Sequence, residues 1–343
     1  MALLIFEFTH KLTDHLNSIK MKRIKLFLTI SSCILISSCA FNISEYIASS
    51  KSLSYNHIIS NEQIKSWGFN KNNYCDKQRN LCISYFHAAP LKGGRLKYSI
   101  ETGSGNQTSQ VDFSIDKEKL KNSYSGTIVL LHGFRISKEF MLNSALYFRL
   151  LGFQVVIPDL LGHGESEGHK EYGVGDSEVI NRLMDDLIHK DIIESKPIYL
   201  LGNSMGSLTA ARITQSRQDI CGLILQAPML KFDQAVYNYA KENFPLLSKA
   251  LSEEEIRKGA LIALEGVNIG LLETQIEPLL TKSSVPVLLF ASNTDSISPY
   301  DHFRTLNQDH IEVVLLKDRN HPGMAVIGEI EHSALQDWLI QGR

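Results

Sequence analysis

The stretch Pro197-Ile198-Tyr199-Leu200-Leu201-Gly202-Asn203-Ser204-Met205-Gly206 decides the fold. Its first half is an apolar run of the length of a buried strand. Its second half breaks into Gly-x-Ser-x-Gly, followed at once by small residues at helical spacing. Strand, sharp turn and helix in that order lift a serine hydroxyl above a sheet edge. The flanking glycines are needed because the turn presses backbone against backbone, where a Cβ would clash with the neighbouring strand or helix. The helix that follows aims its N-terminal amides and dipole at Ser204, a favourable place for developing negative charge.

The same alternation extends in both directions. Thr127-Ile128-Val129-Leu130-Leu131 is an unbroken apolar run, as in a parallel strand buried on both faces, and it ends in His132-Gly133-Phe134-Arg135. A helix is predicted from about Glu139 to Leu151, a strand from Phe153 to Asp159, and a helix from about Asp176 to His189. After the serine, strands are predicted at Ile220–Leu225, at Val285–Ala291 ending in Ser292-Asn293-Thr294-Asp295, and at Ile311–Leu316 just before Asn320-His321. Ile330 to Ile340 reads as a closing helix. Strand and helix alternating at short spacing imply an α/β fold, a mostly parallel central sheet flanked by helices, with function at the carboxyl ends of the strands.

Two stretches depart from that rhythm. Lys97–Glu101 and Val111–Ile115 alternate apolar and polar residues, which predicts antiparallel strands at the start of the sheet. Between about residues 229 and 283 the pattern gives way to short amphipathic helices, a small helical cap inserted over the site. Its aromatics Phe232, Tyr237, Tyr239 and Phe244 are candidates to line an acyl pocket, or simply to pack the cap on the body.

The N-terminus bears on compartment. Residues 21–38 carry a basic start (Lys22, Arg23, Lys25), an apolar run from Leu26 to Ile36 and then small residues, the order of a secretion signal whose apolar run is too short to span a bilayer comfortably. Residues 1–20 are interrupted by Glu7 and Asp14 and read as an upstream extension, which leaves both Met1 and Met21 open as the start. Ile36-Ser37-Ser38-Cys39 resembles the bacterial lipobox, which implies a lipid anchor at Cys39 and, with Ala40 after it, sorting to the outer membrane facing the periplasm. Residues 39–90, and most plainly Phe41 to Asn61, read as a tether and N-terminal region, and residues 91–343 as the catalytic domain. In an oxidising compartment Cys75 and Cys82 are expected to form a local disulfide, while Cys221, inside a strand pattern, reads as a small packing residue.

The 35 basic and 37 acidic residues nearly cancel, so no global field steers the chain to nucleic acid, and the spacing of the five cysteines matches no zinc pattern. No metal or cofactor is expected. The partners expected are a small acyl substrate and, through the anchor, a membrane.

Ser204, Asp295 and His321 stand in the order Ser, acid, His, each after a predicted strand. Together with His132-Gly133-Phe134, Asp159-Leu160-Leu161-Gly162-His163-Gly164-Glu165-Ser166, Gly202 to Gly206 and Gln226-Ala227-Pro228-Met229, they make the chain resemble the α/β-hydrolase superfamily from about Ser125 to Trp338. Within it the chain is most similar to the branch holding monoacylglycerol lipases, lysophospholipases and the serine aminopeptidase S33 group. The resemblance implies a Ser204 nucleophile, a His321 base, an Asp295 orienter, and an oxyanion hole from the backbone amides of Phe134 and Met205. His132 and His163 would then shape loops, and Asp159 would hold the turn after it, while His310 and His332 read as surface residues. Two positions depart from the family pattern: Ser292 stands where glycine is usual three residues before the acid, and Pro322 where an acidic residue usually follows the histidine. The implied activity is hydrolysis of a carboxylic ester of lipid-like or monoacyl type through an acyl-serine. The alternatives are an aminopeptidase, for which Glu253, Glu254 and Glu255 are the candidate amine-binding patch, and a ligand-binding lipoprotein without turnover.

Overall fold

A computed structural model describes residues 39–55, 58–120 and 122–341. The extension and signal read at residues 1–38 lie outside the described residues. The chain opens with helical residues 39–49 (α1), a short α2 (Asn61–Ser66), and two hairpins, β1 (Asn70–Asp76) with β2 (Leu81–Ala88) and β3 (Arg95–Ser104) with β4 (Gln107–Asp116). The alternating core follows: β5 (Thr127–Leu131), α3 (Leu142–Leu151), β6 (Gln154–Pro158), α4 (Asp176–His189), β7 (Ile198–Asn203), α5 (Met205–Ser216) and β8 (Ile220–Gln226). The cap comprises α6 (Phe232–Asn243), α7 (Pro245–Ala250), α8 (Glu253–Glu265) and α9 (Glu277–Thr281). The core then resumes with β9 (Val287–Ser292), α10 (Tyr300–Phe303), β10 (Ile311–Leu316) and α11 (Glu329–Gln341).

Eight strands form one sheet in the order β1-β2-β6-β5-β7-β8-β9-β10, antiparallel at β1-β2 and β2-β6 and parallel from β6 onward. Successive residues of β5 divide between two cores, which is why its sequence is apolar without a break. Val129 and Leu131 pack with Leu183 of α4 and Leu208 of α5 on one face, and Ile128 and Leu130 with Phe148 of α3 and Leu335 of α11 on the other.

The structure changes three expectations. Lys97–Glu101 and Val111–Ile115 are strands, but they belong to a separate two-stranded sheet, β3-β4. The antiparallel start of the main sheet is instead the β1-β2 hairpin, whose facing residues Cys75 and Cys82 are joined by a disulfide. β1 is an edge strand of polar letters (Asn-Lys-Asn-Asn) with most positions exposed, so it carries little of the apolar alternation that marks a strand in sequence. Residues 39–49, read as tether, are helical: Ala40 and Ile47 are buried, and α1 lies so close to α8 that a Cβ on Gly259 would meet Ile43 at 2.5 Å. The helix expected from Glu139 starts at Leu142, after a 3-10 turn over Lys138–Met141 whose first amide and ammonium are both taken by Asp159, at 2.7 and 2.6 Å. Among the described residues, no helix is long and apolar enough to cross a membrane.

Candidate active site

Ser204 sits at the carboxyl end of β7, where the chain reverses into α5, with φ 50° and ψ −115°. A non-glycine residue in that region is strained and persists only when its surroundings hold it. Here they do. The Ser204 amide donates to the Gln226 carbonyl at 2.9 Å, and its own carbonyl accepts from Ser207 at 3.0 Å and Met229 at 3.1 Å. The glycines are required by close approach: a Cβ on Gly202 would lie 2.4 Å from Ser207 Cα, and one on Gly206 would lie 2.1 Å from the Leu131 carbonyl oxygen.

His321 comes from the loop after β10 and Asp295 from the loop after β9. Asp295 Oδ2 is 2.8 Å from His321 Nδ1, and His321 Nε2 is 3.0 Å from Ser204 Oγ. With Nδ1–H donating to the carboxylate, Nε2 is free to accept from the serine hydroxyl, so one tautomer satisfies both bonds. Asp295 is buried, and its Oδ1 accepts from the amides of Ile297 and Ser298, each at 2.9 Å. Burial pushes the His321 pKa down, but the charge and hydrogen bond of Asp295, joined by the charge of Glu242, leave it raised above the ordinary histidine value. Opposite Ser204 runs the loop after β5, close enough that a Cβ on Gly133 would stand 3.2 Å from Ser204 Cβ. The amides of Phe134 and Met205, the residues that follow Gly133 and Ser204, donate to no other described residue.

The other histidines are held elsewhere. His132 is buried, with Nδ1 2.8 Å from the Gly133 carbonyl and Nε2 accepting from the Leu160 amide at 3.0 Å, and burial brings its pKa to about 4. His163 is buried against Leu161 O at 2.9 Å, with its pKa brought by burial to about 3. Both are therefore neutral and tied to backbone. Asp159 accepts from the Glu165 amide at 2.9 Å and pairs with Lys138, which ties the turn between them to the body. His310 is half-buried, with Nε2 3.2 Å from the Leu280 carbonyl. His332, read as a surface residue, is half-buried and hydrogen-bonded to the Tyr147 hydroxyl at 2.8 Å, because α11 lays that face against α3 and β4.

The two departures from the family pattern have local explanations. The Ser292 hydroxyl accepts from the Thr294 amide at 3.2 Å and the Arg319 amide at 3.3 Å, tying the acid loop to the histidine loop. Pro322 occupies the first position of a 3-10 turn over Pro322–Ala325, where a missing N–H costs nothing.

Sequence reasoning missed what braces the histidine. The β3-β4 hairpin leans on its loop: Asn320 Nδ2 donates to the Thr102 carbonyl at 2.7 Å, Thr102 Oγ1 to Asn320 Oδ1 at 2.7 Å, and Ser109 Oγ to the Asp318 carbonyl at 2.9 Å. Glu242 of α6 joins Ser104 of this hairpin to Ser296 of the acid loop by hydrogen bonds from both hydroxyls. Single Ser, Thr and Asn residues at loop ends carry no spacing signal that would reveal such contacts.

A cavity of about 670 Å³ opens over Ser204 and His321. Its roof includes Phe232, Tyr239 and Phe244 of the cap and Tyr46 of α1, whereas Tyr237 turns away, beneath the Arg257 guanidinium. Cys39 also lies on its wall, whereas Cys221 is half-buried against the core that holds α3 and α11. Among the described residues no cluster of His, Cys, Asp and Glu is placed to hold a metal ion.

A family model described as serine aminopeptidase, S33, matches residues 122–264, which include Ser204 and end before Asp295 and His321. Caffeoylshikimate esterase of Arabidopsis thaliana is 30% identical over 140 residues, 39% of this chain and 40% of that protein, so the chain spans well under half the length of this curated relative. Among solved structures, an esterase of Pyrococcus furiosus superposes with a TM-score of 0.56 at 16% identity, over 83% of this chain and 94% of that one. A membrane phospholipase A described as a bacterial virulence factor superposes with a TM-score of 0.54 at 19% identity, over 94% and 99%. At such identities the superpositions speak for the fold, an α/β-hydrolase fold, and the two sequence matches each cover less than half of the chain.

Proposed function

We propose that the chain is a serine hydrolase that cleaves carboxylic esters of lipid-like, monoacyl type through an acyl-Ser204 intermediate. The observation that carries this reading is the unbroken Asp295, His321, Ser204 hydrogen-bond chain opening into an apolar cavity. Ser204 Oγ attacks the ester carbonyl while His321 Nε2 takes its proton, and the imidazolium that forms faces the Asp295 carboxylate. The carbonyl oxygen, now anionic, is received by the amides of Phe134 and Met205; one such donor typically contributes about 3 kcal/mol to lowering the barrier. Collapse of this intermediate expels the alcohol, which His321 protonates, and leaves the acyl group on Ser204. A water deprotonated by His321 then releases the acid by the same steps.

The cavity favours an ester over an amino-terminal peptide substrate. An aminopeptidase needs carboxylates to hold a protonated amine, and the candidate patch is otherwise engaged. Glu255 closes the capping box of α8, Glu253 pairs with Arg257 at 2.7 Å, and neither these two nor Glu254 lines the cavity. We also propose an anchor at Cys39 in a bacterial envelope, which rests on the signal-like order of residues 21–38.

A fluorophosphonate probe tests the reaction: it should label the chain and spare Ser204→Ala. Equal labelling of both, or of neither, removes the proposal. A series of p-nitrophenyl esters set against aminoacyl p-nitroanilides then separates ester from amide preference.

A further inference from the structure

The cavity over Ser204 is apolar apart from a few groups, and among the described residues that line it Arg135 alone carries a permanent charge. None of these described lining residues is a carboxylate. Arg135 follows Phe134, the residue proposed to supply an oxyanion amide, and lines the same cavity as Ser204 and His321. Its Nη1 donates to the Tyr46 hydroxyl of α1 at 3.0 Å, and the hydroxyl of Tyr239 on α6 faces the same group. These phenols hold the guanidinium without neutralising it.

Two further observations concern what it lacks. Arg135 Nε is buried with no hydrogen-bond partner among the described residues, and no described carboxylate forms an ion pair with the guanidinium. A second cation lies nearby: Lys170 is buried, bonded to the Ala48 carbonyl at 2.9 Å, and its pKa is lowered by burial first and then by the charge of Arg135. Arg135 itself is half-buried, and a cation that lines an apolar cavity with no counter-charge beside it offers an anionic group a strong partner. Arg135 is also held at φ 61°, a left-handed conformation that a long side chain rarely adopts.

We infer that Arg135 is a specificity-determining residue that receives an oxyanion, a phosphate or carboxylate, borne by the acyl-ester substrate. The planar guanidinium suits either group, since both present paired oxygens to its N–H donors. The apolar wall then takes the acyl chain, and the substrate class is an amphiphilic monoacyl ester with an anionic head. The inference rests on the ester-hydrolase reading for its reaction, but its recognition step can be read without turnover.

Calorimetry on the Ser204→Ala full chain supplies that reading, with three decanoyl glycerols below their micelle concentrations: neutral, phosphate-bearing and succinate-bearing. The phosphate or the succinate ligand, or both, should bind about 10- to 100-fold more tightly than the neutral one, the range of a hydrogen-bonded charge pair. Whichever anion gains shows which oxyanion the site takes. Adding Arg135→Gln should erase the gain, and Arg135→Lys should restore part of it. Equal binding of all three ligands, or an Arg135→Gln loss of the same factor for each, overturns the inference. Wild-type turnover of the same ligands tests the hydrolase reading separately. Binding selectivity without turnover would sink that reading and leave this one standing.

Discussion

Ser204 and Tyr239 line one cavity but are held there by different means. Beneath the cavity, the ends of β5, β7, β9 and β10 are packed until no atom can be added: Leu131, Leu200, Leu201 and Ala291 are fully buried, and a Cβ on Gly206 would overlap the β5 backbone. Above it, α6 to α8 and α1 are amphipathic helices that leave Leu246 82%, Tyr46 49% and Leu247 43% exposed. They reach the body through a limited set of buried apolar side chains, among them Phe232, Ala260 and Leu264, and through hydrogen bonds that join Glu242 to Ser104 and Ser296 and Asn238 Nδ2 to the Ile297 carbonyl at 3.2 Å. The floor therefore fixes the geometry of the reaction, while the roof can change its side chains and with them the substrate. Only the floor has to be rigid, because proton transfer and attack depend on positions within fractions of an ångström.

The sharpest test of this contrast is Ser204→Ala, expected to lower ester hydrolysis by roughly 10⁴- to 10⁶-fold with an unchanged circular dichroism spectrum. Any smaller loss would place the chemistry elsewhere than the floor. Gly206→Ala should come next, costing at least about 2 kcal/mol by overpacking against Leu131 and showing as a lowered denaturation midpoint along with lost activity. A fully stable Gly206→Ala protein would mean that the turn has more freedom than the floor allows.

The pH profile probes where floor and roof meet. His321 must be neutral to take the proton of Ser204, and its raised pKa keeps it protonated to higher pH, so kcat/KM should rise with pH along a limb above the ordinary histidine midpoint. Glu242→Gln removes a charge that raises this pKa, so the limb should move to lower pH. A limb that stays in place would reduce Glu242 to a mechanical link. The smallest effect is expected from the roof itself. Leu247→Ala enlarges the cavity wall and should shift the preferred acyl length while changing kcat/KM on the best ester by less than about tenfold. An equal loss on every chain length would show the roof to be as rigid as the floor.

Much of the floor is legible in the sequence because its signals are local. Apolar runs of strand length end in Gly202 to Gly206, in His132-Gly133-Phe134, in Asp295 and just before His321, and each run with its turn lies within about ten residues. The edge strand β1 escaped because its polar letters face solvent, and α1 escaped because the polar residues Asn42, Ser44 and Glu45 interrupt its apolar residues Ala40, Ile43 and Ile47. His332 was misplaced for a related reason: its burial is decided by Tyr147 and Phe113, far away in the chain.

The sequence by itself determined the order of strands and helices in the alternating core, the serine turn and the residue types available to it, since these follow from backbone sterics and the period of side chains along a strand or helix. Only the tertiary structure decided that the β3-β4 hairpin braces the His321 loop, that α1 closes the cavity, and that Arg135 stands in it without a counter-charge. Those outcomes depend on which surfaces meet across the fold, and burial and pairing between distant segments leave no periodic trace in either segment alone.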